Sequence, residues 1–149
     1  MAGVYFTAAP GAVAIASATA KTVIQLIAAS SHRAHIHQID LAFNGVTAAD
    51  PPALVELYIQ TTAGTMSALT LAKYNAGDDE TLQTTAQHTS TVAPTDSTLK
   101  WSTYVHPQTG GTIVFKVPFV IPGGTRVGLK VTPGTMTGCN ISATILCEE

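Results

Sequence analysis

Three of the five histidines, His32, His35 and His37, fall within six positions in the stretch SSHRAHIHQIDLAFNG (30–45). His35 and His37 stand two apart, a spacing that puts both imidazoles on one face of a strand, where they could ligate a metal. In a regular strand that face continues through Ile39, Leu41 and Phe43, while Ile36, Gln38, Asp40 and Ala42 look the other way. Asp40 cannot then join the pair. Two ligands out of the usual three or four do not make a catalytic centre. A ring of such histidines about a symmetry axis is the other arrangement that would hold a metal. The expectation is half-buried strand histidines near a subunit contact, with no cofactor and His35 and His37 as the only metal candidates.

The HxH spacing is similar to the first motif of the cupins, jelly-roll proteins in which a Glu follows and a second motif reads PxGxxH. Here Leu41 and Ala42 stand where the Glu belongs, and PGGTRV offers Pro122 and Gly124 but ends on Val127 in place of the histidine. A cupin-like metal protein therefore remains only as a rival reading. Other catalytic patterns are missing from the sequence: no G-x-S-x-G elbow, no H-E-x-x-H, no Gly-rich phosphate loop. His32 beside Ser30 and Ser31 is adjacency, not a triad. Asp78, Asp79 and Glu80 are consecutive, whereas a calcium loop wants acids at alternate positions around a Gly. Trp101 and Tyr104 offer aromatic faces for a sugar, though core or interface packing is the favoured reading. The chain is not expected to be an enzyme.

The elements that would carry these residues are strands. β-branched runs closed by Gly, Pro and Asn recur, and the pattern predicts strands at 22–28, 33–43, 53–61, 99–105, 112–120, 125–131 and 140–147. An eighth is expected from Val4 to Ala8 or from Val13 to Ala16. Asn44-Gly45, Pro51-Pro52, Gly110-Gly111, Pro122-Gly123-Gly124 and Pro133-Gly134 supply the turns. This is the signature of an all-β, single-domain antiparallel sandwich of jelly-roll type. Two segments stand apart. Residues 1–21, Ala-rich and broken by Pro10-Gly11, read as an N-terminal arm for a neighbouring subunit, ahead of a 22–149 domain. Residues 75–98 read as a long Thr-rich loop.

Composition points toward assembly. The chain has 149 residues, enough for one domain with a core, and 46% of them are apolar. Only 11% are charged, against about 25% in an ordinary soluble domain, and 23 Thr with 22 Ala fill the gap. Such a surface suits burial against copies of itself. The net charge is −2 and the seven Lys and Arg are scattered singly, so no basic stripe invites nucleic acid. The first twenty residues lack the basic start of a signal peptide, and no run reaches the roughly 18 apolar residues of a membrane span. Cys139 and Cys147 flank a predicted strand, about 26 Å apart at roughly 3.3 Å per residue, too far for a disulfide.

The order of features resembles a family of small tailed-bacteriophage and prophage virion proteins. The resemblance runs from VIQLIAAS through IDLAFNG and a Pro followed by VELYIQTTAGT, then a Thr-rich stretch with APT, HPQTGG, VIPGGTRVGLKV and a closing ATILCEE. It covers residues 22–149 and departs at Cys147, where an aromatic is expected before the final acids. The resemblance implies a capsid decoration or cement protein: a homotrimer bound to the major capsid protein on the outer surface of the virion, made in the host bacterial cytoplasm. Val4, Tyr5, Phe6, Val13 and Ile15 of the arm, His88 of the loop, and Trp101 are the expected capsid or subunit contacts. A head-fibre or tail-associated receptor binder, holding a glycan on Trp101 and Tyr104, is the alternative from another class.

Overall fold

Alternation of β-branched with small polar residues becomes, in a computed structural model describing residues 3–136 and 138–149, twelve strands and no helix among the described residues. They are β1 (Tyr5–Ala8), β2 (Ala12–Ile15), β3 (Lys21–Ile27), β4 (Ala34–Asn44), β5 (Ala53–Gln60) and β6 (Thr65–Leu69), followed by β7 (Ala72–Lys73), β8 (Thr85–Val92), β9 (Asp96–Val105), β10 (Gly111–Ile121), β11 (Arg126–Thr132) and β12 (Cys139–Glu148). One sheet runs β10-β4-β12-β1-β7, with β2 also on β12; the other runs β6-β8-β3-β11-β5-β9. All pairings are antiparallel, and the sheets pack face to face as an all-β sandwich.

The core is the inward face of both sheets. Ile39, Leu41, Ile141, Ile145 and Cys147 from one side meet Ile24, Leu26, Val55, Leu57, Val127 and Leu129 from the other, all buried. The period-2 pattern of β12 explains its place: Cys139, Ile141, Ala143, Ile145 and Cys147 all point inward. Both thiols are free. Burial raises the pKa of Cys147 strongly and that of Cys139 as well.

Two expectations need correction. Residues 1–21 are not a detached arm. β1 pairs with Glu148 to Ile145 and β2 with Ser142 to Cys139, so the two short strands lie end to end along one edge of β12. Pro10-Gly11 is the jog between them, with Gly11 at φ 78°. Val4, Phe6, Val13 and Ile15 are consequently buried in the subunit's own core, and cannot be its capsid contacts; Tyr5 alone of that set is exposed. Phe6 also sits directly across from Cys147, so an aromatic does line that position, supplied by the partner strand.

The second correction concerns 75–98, which is not one loop. It holds β8 and the start of β9, and β8 pairs with both β3 and β6. Thr85–Val92 has no hydrophobic alternation because only Ala86 and Ser90 of the strand are buried. Thr89 takes a left-handed φ of 56°, a strained value for a β-branched residue. On the next residue, the Ser90 Oγ accepts a hydrogen bond from the Thr22 backbone N–H at 3.2 Å.

β5 pairs with β9 at one edge of its sheet and β6 with β8 at the other, so the connections 61–64 and 93–95 cross the sheet together. They are tied where they meet: Thr61 N donates to Thr95 O at 2.9 Å, and Thr95 N to Thr62 Oγ1 at 2.9 Å. Beneath lies a polar row, buried at Gln25 and Gln60 and half-buried at Asp96 and Lys130. Gln25 Nε2 donates to Gln60 Oε1 at 2.7 Å and to Thr62 O at 3.1 Å; Gln60 Nε2 donates to Asp96 Oδ1 at 2.8 Å; Lys130 Nζ reaches Asp96 Oδ2 at 2.5 Å. Gly128 makes this possible, since a Cβ there would lie 2.3 Å from Gln60 Oε1.

Candidate functional site

The histidines sit on β4 at a bulge. Against β12 the register passes from Gln38↔Leu146 to Ile36↔Cys147, leaving His37 without an opposite residue. The extra residue resets the alternation, so Ile36, Ile39 and Leu41 all turn inward while His35, His37, Gln38 and Asp40 are half-buried on the outer face. Asp40 therefore shares a face with the histidines, contrary to the reading from regular alternation, and Ile39 and Leu41 do not.

His37 Nε2 lies 2.8 Å from Glu148 Oε2, and the Tyr5 ring stands 5.4 Å from the imidazole. The Glu148 carboxylate beside Tyr5 also raises the phenol's pKa. The result is a cross-strand chain of imidazole, carboxylate and phenol joining β4, β12 and β1. His35 and Glu148 also border an open cleft of about 550 Å³, with His32, Glu80 and Glu149 on its walls. His32 bonds to Ser31 at 2.8 Å. Among the described residues, no three His, Cys, Asp or Glu side chains gather closely enough to hold a metal ion. These three side chains do not place a nucleophile beside an activating base and an oxyanion cradle.

A second feature lies at the edges of the two sheets. β10 ends one sheet and β9 the other, and their aromatic side chains meet across the flank: Trp101 packs edge-on against Phe115 at 5.4 Å, and Phe115 against Phe119 at 6.5 Å. Outside this seam Leu99, Tyr104, Val114, Val117 and Val120 are exposed, Val117 to 81%. Both strands are irregular. β10 jumps from Val114↔Gln38 to Phe119↔Ile36, so residues 115–118 arch outward with Pro118 among them. β9 carries extra residues at Lys100 and Ser97. Bulges, a proline and lysines are the devices that keep an open edge from recruiting another strand.

Of the expected contact residues, then, four lie in the core, Tyr5 belongs to the histidine chain, and Trp101 is half-buried on the apolar flank. His88 is half-buried in β8, bonded to Thr89 Oγ1 at 2.8 Å. Trp101 pairs with Leu57 and Tyr104 with Leu54 without an intervening bulge, so the two aromatics face opposite sides of β9 and do not form one platform. The exposed valines of β10 were not singled out from the sequence. Their signal is TIVFKVPFVI (112–121), apolar on both alternation classes and interrupted by Pro118, which reads as an edge strand with both faces occupied.

Comparison with known protein families, with curated proteins and with solved structures finds no match to this chain.

Proposed function

We propose that the chain is a structural virion protein: a jelly-roll-like decoration or cement subunit that forms a homotrimer and seats on the outside of a tailed-phage head, against the major capsid protein. The observation that carries this reading is the pair of edge strands β9 and β10, whose bulges bar further strand pairing and which expose five large apolar side chains, Leu99 and Tyr104 on the outer face of one sheet, Val114 and Val120 on that of the other, and Val117 in the β10 bulge. Proteins that work as monomers seldom keep such a surface. The low charge of the chain and the order of its sequence features support the same reading.

A cement subunit acts by burying area across joints between capsomers. Pressure from packaged DNA must then break those contacts before the shell opens. The function invokes no cofactor, nucleic acid or membrane, and its place is the outer capsid surface after synthesis in the host cytoplasm. The rival glycan-binding reading loses its aromatic platform, because Trp101 and Tyr104 diverge.

The test is thermal. Expanded heads of the phage that encodes the chain, with and without added protein, are heated while DNA release is followed by dye fluorescence. Decorated heads are expected to hold their DNA to a higher temperature. Equal release temperatures with the protein demonstrably bound would remove the stabilising role.

A further inference from the structure

The first sheet ends in two unlike edges. At one, β10 shows Val114, Val117 and Lys116, with Lys100 at a bulge of the neighbouring β9, whose Leu99 and Tyr104 face outward from the other sheet. Neither lysine has an ion-pair partner among the described residues, and the acid of β9, Asp96, is held by Lys130. At the other edge, β7 is followed by Tyr74, exposed to 74%, and by the acids Asp78, Asp79 and Glu80. Tyr74 N donates to Tyr5 O at 2.7 Å and Lys73 Nζ to Asp78 O at 2.6 Å, which holds the acidic turn against this edge. Asp78 is engaged with Asn75 at 2.9 Å, while Asp79 and Glu80 are exposed and enter no salt bridge among the described residues.

The geometry points to a head-to-tail contact between copies of this chain, in which the basic apolar flank of β9 and β10 packs on the acidic β7 edge of the next subunit. This rests on the proposed self-assembly and names the surfaces that make it. A twofold contact through either edge would set lysine against lysine or acid against acid. The heterologous arrangement sets Lys100 and Lys116 against Asp79 and Glu80, and valines against Tyr74. Such a contact closes into a ring when its rotation permits. The arch at 115–118 excludes strand addition, so side chains make the joint.

Sedimentation equilibrium decides the matter, with circular dichroism to verify that each variant is folded. The parent is compared with Lys100→Glu/Lys116→Glu, with Asp79→Lys/Glu80→Lys, with all four substitutions together, and with Val117→Asp. The parent is expected to be a defined oligomer. Each charge-reversed pair and Val117→Asp should weaken association about tenfold or more, and the fourfold swap should restore it. A monomeric parent overturns both this contact and the self-assembly beneath it. An oligomer unmoved by either reversal and by Val117→Asp, or one weakened by both reversals and not restored by the fourfold swap, overturns the contact alone.

Discussion

At the scale of single residues, small groups decide what the larger ones can do. Cys147 is fully buried against Phe6, and burial lifts its thiol pKa far above the ordinary 9.0. In the unfolded chain the same thiol ionises near that ordinary value, so above it the unfolded state has lost a proton that the folded state keeps. Stability is therefore full below pH 9.0 and falls as the pH rises from there toward the folded value. Urea titrations between pH 8 and 11 should show this decline, and Cys147→Ala should flatten it. A second prediction concerns Gly128. Replacing it with Ala drives a methyl into Gln60 and breaks the row from Gln25 to Asp96, at a cost of about 1–3 kcal/mol in a denaturant melt. The half-buried pair of His37 and Glu148, on the outer face of the sheet, should matter less: His37→Gln is expected to cost under about 1 kcal/mol by the same assay.

Among the elements, strands with strong alternation were legible in the sequence, and those without it were not. β3, β4, β5, β10, β11 and β12 match their predicted runs within a residue or so at each end, because each buries a continuous apolar face. β6, β7 and β8 escaped notice: β6 and β7 are edge strands, which need no apolar face, and β8 buries only Ala86 and Ser90, so its Thr and Ser residues look like a loop. The four-residue strands β1 and β2 were half legible: one strand was expected, at Val4 to Ala8 or at Val13 to Ala16, and the structure has both, since alternation over four positions among alanines is too short to count them. The histidine faces were misassigned because a bulge cannot be seen in one sequence, yet it moves every following side chain to the other face. The place of β1 gives a firm prediction. Phe6→Ala should cost about 3–5 kcal/mol, and deletion of the first twenty residues should abolish a cooperative thermal transition. A truncated chain that melts like the parent would mean that β1 and β2 do not belong to the core.

For the whole molecule, the distribution of what is left exposed matters more than any one site. The sandwich satisfies its own core, closes its crossing connections with threonines, and leaves an apolar basic flank opposite an acidic edge. That distribution supports the proposed place in a lattice. The most direct measurement of the proposed function is co-sedimentation of the purified protein with expanded, undecorated heads of the tailed phage the proposal assigns it to, with unexpanded heads as the control. Saturable binding to the expanded heads, at a fixed number of copies per head, is the predicted result. Full-length, folded protein that stays in the supernatant at every concentration would contradict the assignment to the capsid exterior.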